Sequence, residues 1–361
     1  MRILPINIYM PNNNNFQMKH KNVNFGEKEA ERTSEPNLNT YIPLMNNKMK
    51  LNDNIRFFLN AINKIDTDDK RRKQPLHIAD IGCCDGALTR TLSDFLPSTT
   101  RYYGLDLSAD MLEIAKEKDK KSGIKAEYVV GNAFDLPYKN DKKDAIIASS
   151  IMHELYSYAS EEYNEDSYSK ESILHFMQQA YDSLKPGGVL IIKDPATPGS
   201  DAWEEIKVCN ANKEDGAYPP IENEDELKKA DITKLCTLDK LKRFCIDFYP
   251  ARNQCKWDGD TCIMPRWLVT EFARHRKWLA TPENWAYEIK ENYGTMRPDE
   301  MAKFADKVGF DTVKIENISI PNKNNIYAIR EGEFELRDMD DNQLTLEDFP
   351  MFLEVVLRKP R

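Results

Sequence analysis

The stretch that most constrains the fold is LHIADIGCCDGALTRTLSDFL, residues 76–96. Leu76 to Ile81 is short and mostly apolar, as a strand buried on both faces would be. It stops at Gly82-Cys83-Cys84-Asp85-Gly86, and a helical pattern follows with Leu88, Leu92, Phe95 and Leu96 on one face. Strand, glycine turn and helix in this order form a nucleotide-type site, because glycines let the backbone approach a ligand at a helix start. A second strand, RYYGLDL, carries Asp106 at its end. A carboxylate there can accept hydrogen bonds from both hydroxyls of a ribose. Two strand ends therefore point at one adenosine-like ligand.

The rest of the chain extends this pattern. Ser108 is placed to cap a helix through Met111, Leu112 and Ala115 that Gly123 ends. AEYVVGNAFDLPY reads as a third strand and its exit loop, and DAIIASSIMHEL as a fourth strand from Asp144 to about Ser149. An acidic, tyrosine-rich loop leads to a helix with Ile173, Leu174, Met177, Ala180 and Leu184, which LKPGG terminates. VLIIKDP is a fifth buried strand. Strands and helices alternating at these intervals imply right-handed crossovers and a parallel sheet. Ahead of the first strand, Tyr41 to Ile65 has helical periodicity, and residues 1–40 are rich in Asn, Lys and Glu and read as a disordered tail.

DIGCCDG, the Asp106 strand end, GNAFDLP, IIASSIMHEL and LKPGGVLIIKD, in this order, resemble the class I S-adenosylmethionine-dependent methyltransferases. The resemblance covers residues 76–195 and resumes at Pro298 with a helix through Met301, Phe304, Ala305 and Val308. Two strand candidates follow, Asp311 to Ile320 and Phe352 to Leu357. It implies an α/β fold: a Rossmann-like, seven-stranded, mostly parallel sheet flanked by helices, with a large, mostly helical insertion after the fifth strand. The corresponding division is 41–195 with 297–361 as the methyltransferase domain, and 196–296 as an inserted lid or substrate subdomain. A dinucleotide oxidoreductase also uses a glycine turn and an acidic strand end, but the turn here lacks the full G-x-G-x-x-G.

The resemblance also implies a site for S-adenosyl-L-methionine. Asp80, Gly82, Cys83, Cys84 and Gly86 would cradle its methionine part, with Cys84 standing where the family usually has glycine. Asp106 would hold the ribose, and Leu107 would lie on the adenine face. Asn132 stands where many members have Asp beside adenine; its amide oxygen can still accept from the exocyclic amine. Ala133 could add a backbone amide, and Ser149 lies where methyl transfer is expected. Asp135 reads as a loop-ordering residue. A high-pKa oxygen or nitrogen acceptor would benefit from a general base, for which His153 and Glu154 are the candidates. The alternative for both is a role in ordering the loop.

Composition bounds the partners. The net charge of −9 argues against a protein that coats nucleic acid. No apolar run reaches the length of a membrane span, and the seven cysteines, without short paired spacing, fit reduced thiols in a cytoplasmic setting. The insertion holds Trp203, Trp257, Trp267, Trp278 and Trp285 together with Arg252, Arg266, Arg274, His275 and Arg276. Most of the tryptophans are expected to form its own small core and most of the arginines to be solvated, the alternative being a pocket for a substrate with a planar or apolar part and an anionic group. Cys209, Cys236, Cys245, Cys255 and Cys262 also lie there, and without C-x-x-C pairs they predict no metal. The expected function is methyl transfer to a small molecule or conjugated metabolite, the alternatives being an RNA or protein substrate, or a non-catalytic cofactor-binding partner subunit. Oligomeric state is left open.

Overall fold

The computed structural model describes residues 52–66, 74–158, 168–277, 281–320 and 327–361. The expected tail, and Tyr41 to Leu51 of the expected first helix, lie outside these residues. Helix α1 (Asn52–Ile62) is the remainder of that helix, and it packs Ile55, Phe57, Phe58, Ala61 and Ile62 on the sheet.

Strands β1 (His77–Ile81), β2 (Arg101–Asp106), β3 (Ala126–Val130), β4 (Lys143–Ser149) and β5 (Leu184–Pro195) alternate with helices. The first two crossovers use α2 (Ala87–Ser93) and α3 (Ala109–Ser122); α4 (Met152–Ser157) and α5 (Lys170–Ser183) connect β4 to β5. These five strands pair in parallel. Their central members carry continuous apolar runs because helices cover both faces. The caps read from the sequence are in place. Ser108 Oγ accepts from Met111 N at the start of α3, and Gly123 ends it with φ 73°.

Two strands complete the sheet in the order β3-β2-β1-β4-β5-β12-β9. Strand β9 (Asp311–Ile318) is the outer one, and β12 (Phe352–Arg358) runs antiparallel to both neighbours. The order reverses between β1 and β4, so the carboxyl ends of these two strands flank the crevice where ligands bind in open α/β sheets.

The segment between β5 and β9 is more than the helical insertion expected. It does contain α6 (Glu224–Lys229), α7 (Thr237–Asp247), α8 (Arg266–His275) and α9 (Pro282–Glu288), and α10 (Pro298–Val308) then leads into β9. The start of α9 is capped, with Thr281 Oγ1 accepting from Asn284 N. These helices pack on a five-stranded antiparallel sheet that the periodicity did not indicate. It is built from β6 (Glu205–Cys209), β7 (Lys256–Asp258), β8 (Thr261–Pro265), β10 (Glu335–Arg337) and β11 (Gln343–Leu344). Two of the five come from between β9 and β12, so the second unit draws on residues well beyond 296. Its core joins Ile206, Val208, Phe244, Met264 and Phe272 to Tyr327, Phe334, Leu336 and Phe349.

LKPGG begins β5 rather than following the helix, which ends at Ser183. Gly187 has φ 77°, and a Cβ there would lie 2.2 Å from Asp66 O. Gly123, with similar φ, has open space around it. Gly187→Ala should therefore cost more than 2 kcal/mol, whereas Gly123→Ala should cost only about 1–2 kcal/mol of left-handed strain. Denaturant unfolding of the two variants tests the difference, and equal losses would contradict the contact.

Candidate active site

The turn after β1 is shaped by three left-handed residues: Gly82 (φ 68°), Cys84 (φ 50°) and Gly86 (φ 75°). A Cβ at Gly82 would come within 2.6 Å of Ile151, and one at Gly86 within 2.5 Å of the Tyr128 hydroxyl. Cys84 occupies a conformation that favours glycine, which explains why its position is a departure from the family pattern. Its amide donates to Asp106 Oδ2 at 2.8 Å. Gly82 N and Cys83 N both donate to Leu105 O, and the Cys83 side chain packs against Gly104 of β2. Cys83 is thus buried and turned toward β2, and the amides of Gly82, Cys83, Cys84 and Gly86 are bonded within the protein.

Asp106 is half-buried at the end of β2, and its Oδ1 accepts from Ser108 N at 2.9 Å. A carboxylate has further lone pairs on both oxygens, so these bonds to the loops leave capacity for ribose hydroxyls. Burial pushes its pKa up to about 6 against the opposing backbone bonds, and Glu154 adds to the rise. Asp80 lies beneath the turn and accepts from Thr89 Oγ1 of α2; burial lifts it to about 7. Leu107 is half-buried against the main core, and Ala133 is buried in it. Asn132 Oδ1 accepts from Phe134 N at 2.9 Å, so the oxygen expected to face adenine also orders its own loop. Ser149 is half-buried at the end of β4, followed by Ser150 in a left-handed conformation. Asp135 is exposed.

His153 begins a network that the sequence did not disclose. It is 3% exposed, its backbone N–H donates to Asp194 Oδ2 at 2.8 Å, and Nδ1 lies 2.9 Å from Asp194 Oδ1. Nε2 lies 3.6 Å from Glu291 Oε2. Burial by itself lowers the imidazole, but Asp194 and Glu291 outweigh it and hold the pKa up at about 9. An imidazolium between two carboxylates is the consistent state near neutrality, and a protonated ring cannot accept a proton. Glu154, the other candidate base, is half-buried in the first turn of α4. Its charge acts on both Asp106 and His153.

The same network joins α4 to the second unit. Tyr158 donates to Glu291 Oε1 at 3.1 Å, Asn292 N donates to Ser157 Oγ, and the His153 and Tyr293 rings are 5.2 Å apart. Asp194 closes the fifth-strand motif, yet nothing in the sequence assigned it a partner. Glu271 and Glu291 are buried carboxylates in helical stretches that looked ordinary.

A second cluster braces the turn from outside. Asp85 pairs with Lys118 and Arg90, Arg90 Nη1 donates to Asp119, and Tyr128 donates to Asp119 at 2.9 Å. It fixes the turn to α3 and β3.

The insertion's cations correct the sequence reading. Arg274 is wholly buried and donates to Ala196 O and Met351 O; Arg276 is buried against Glu333 and the carbonyls of Tyr327 and Ala328. Arg266 pairs with Asp201 and Glu204. Only Arg252 of the four arginines is exposed as expected. His275 is buried with Nδ1 on Glu271 O. Trp267 and Trp285 join the second core, whereas Trp203 and Trp257 are exposed; Trp278 lies outside the described residues. Among the described residues, no helix is long and apolar enough to cross a membrane.

Residues 79–192 match a family described as a methyltransferase domain. Together with the sheet order, this identifies in the chain a domain of the class I S-adenosylmethionine-dependent methyltransferases, whose cofactor is S-adenosylmethionine. The chain is similar to the demethylmenaquinone methyltransferase of Listeria welshimeri, at 23% identity over 137 residues, 38% of this chain and 52% of that protein. It is 29% identical over 124 residues to the enzyme of the same name from Lactococcus lactis, 34% of this chain and 43% of that one. It thus spans about half the length of the curated relatives it matches. A solved S-adenosylmethionine-dependent methyltransferase from Methanosarcina mazei aligns over 82% of this chain and 99% of its own, with 12% identity and a TM-score of 0.40.

The residues present fit the cofactor: Asp106 places a half-buried carboxylate at the end of β2 with lone pairs left for ribose hydroxyls. A pH test follows. Protonation of Asp106 removes an acceptor for the ribose, so affinity should fall as pH drops through about 6. 5′-Methylthioadenosine is the suitable probe, because it keeps the ribose but lacks the titrating amino acid. Calorimetry should show about a fourfold loss between pH 7.5 and 5.5. Asp106→Ala should bind weakly and without that step; an unchanged step in the variant would remove Asp106 from ribose binding.

Proposed function

We propose that this protein transfers a methyl group from S-adenosylmethionine to an oxygen or nitrogen of a small molecule held between the strand ends and the second unit. The observation that carries this reading is the network of His153, Asp194 and Glu291. It ties the loop after β4 to the second unit, so the space over β4 is walled on that side. Tyr158 and Tyr293 join the same network, and aromatic side chains there suit a substrate with an apolar or planar part.

Bound S-adenosylmethionine supplies an electrophilic methyl on sulfur, and the products are the methylated acceptor and S-adenosylhomocysteine. The task of the chain is then alignment and exclusion of water, which can lower the barrier by on the order of 7–11 kcal/mol. Asp106 fixes the ribose end. We assign Glu154 to receive the acceptor's proton, since it is half-buried in the first turn of α4, just past the end of β4. His153 is a positioning residue: as an imidazolium it holds Asp194 at the end of β5 and keeps α4 in place. An RNA substrate is less well supported, because Arg274 and Arg276, which would have faced it, are buried.

Titration calorimetry with S-adenosylmethionine, S-adenosylhomocysteine and NAD is the direct test. The first two should bind and NAD should not; binding of none would point to a non-catalytic subunit. Asp106→Ala should weaken cofactor binding ten- to a hundredfold, the loss of about 1.5–3 kcal/mol of charged hydrogen bonding.

The two roles for His153 predict opposite pH behaviour. A base would make turnover rise as pH climbs through about 9. A positioning imidazolium would leave turnover level below that pH and lower it above. Stability has the same sign: the folded-state pKa is raised above the ordinary 6.5, so the stabilisation is full below 6.5 and is lost through about 9. Melting temperature against pH should fall there in the wild type and not in His153→Gln.

A further inference from the structure

Three cysteines with no place in the methyl-transfer site converge in the second unit. Cys245 lies near the end of α7, Cys255 follows the short helical turn Tyr249–Ala251, and Cys262 lies in β8. Their sulfurs all lie within 4.8 Å of one another, and Cys245 Sγ is 3.9 Å from Cys262 Sγ. All three are free thiols. Cys262 is buried, while Cys245 and Cys255 are half-buried, so the cluster has both a floor and an approach.

These spacings can be compared with what a cation requires. A metal–sulfur bond of about 2.3 Å demands sulfur–sulfur edges of about 3.8 Å in tetrahedral and about 4.0 Å in trigonal coordination. The shortest separation already meets that requirement, and a shift of under an ångström would bring in the rest. Among the described residues, no further Cys, His, Asp or Glu joins the group. A set of three sulfurs suits soft cations that accept three thiolates, or four-coordinate ones that add an outside ligand.

We propose that Cys245, Cys255 and Cys262 form a trithiolate site for a thiophilic d10 cation of the zinc, cadmium or copper(I) class. Binding replaces three S–H protons by three metal–sulfur bonds, with the protons passing to solvent and no change of oxidation state. The cation would fasten the end of α7, the following turn and β8 into one unit. Sequence spacing missed the site because nine and six residues separate the cysteines, and only the fold brings them together.

The test uses the full chain, fully reduced and freed of metal, titrated with Cd2+ and followed by thiolate-to-metal charge-transfer absorbance in the ultraviolet. One equivalent per chain should saturate the signal and raise the melting temperature. Cys255→Ser, at a half-buried position, should weaken uptake by a hundredfold or more while the apo protein keeps its fold. Cys209→Ser, a half-buried cysteine outside the cluster, should bind as the wild type does. Absence of the charge-transfer band would overturn the proposal. So would equal uptake by the wild type and by a Cys245→Ser/Cys255→Ser double variant.

Discussion

The buried ion pair of Arg274 and Glu271 holds the two halves of this structure together. Both side chains are about 1% exposed, and Arg274 Nη1 donates to Glu271 Oε1 at 3.1 Å. The guanidinium also donates to Ala196 O and Met351 O, immediately after β5 and immediately before β12. Glu271 in turn accepts from Tyr293 N and Gly294 N. A charge taken out of water is tolerated when it is paired and hydrogen-bonded, and breaking such a pair by removing one partner typically costs about 3–5 kcal/mol. The adjoining ends of β5 and β12 and α8 of the second unit therefore share one electrostatic commitment. This favours a fixed cap over a swinging lid.

The geometry of the candidate site depends on that commitment. The last residues of β5 serve both sides: Asp194 meets His153 above β4, and two residues later Ala196 meets Arg274. Gly294 is tightly enclosed, since a Cβ there would lie 2.9 Å from Thr197 and 3.1 Å from Ala196 O. The segment from Glu291 to Gly294 can thus lie directly on the end of β5. Network, cap and strand end are one construction. The surface depression lined by Arg56, Phe95, Thr100 and Lys125 lies at the opposite, amino-terminal ends of the strands, outside that construction.

Local rules were enough for much of the fold. β1, the glycine turn, and Ser108 and Gly123 around α3 follow from periodicity, capping and glycine placement, which act over a few residues, while the two late strands come with the family resemblance. The second sheet follows from neither. β10 and β11 are three and two residues long, too short for an alternating pattern, and β10 joins them to β6 across more than a hundred residues. The arginines illustrate the same limit. Arg274 and Arg276 look like solvated helix charges until carbonyls distant in sequence are brought to them. His153 was legible as a candidate, but its protonation state depends on Asp194 and Glu291, and no spacing rule joins those three.

The carboxylates around the crevice bear on why this site would suit a cationic cofactor. Asp80 and Asp106 are pushed up to about 7 and about 6, chiefly by burial, and each is raised further by a neighbouring acid. Keeping them ionised in the free protein is costly for that reason. A ligand carrying positive charge on sulfur offsets part of that cost, whereas the neutral thioether left after transfer does not. The linkage between charge and binding then runs in the useful direction: the reactant strengthens the ionised site, and loss of the sulfonium charge weakens the hold on the product. Cys84 fits the same logic. Its strained backbone aims an amide at Asp106, so the turn stabilises the ionised carboxylate that the ribose requires.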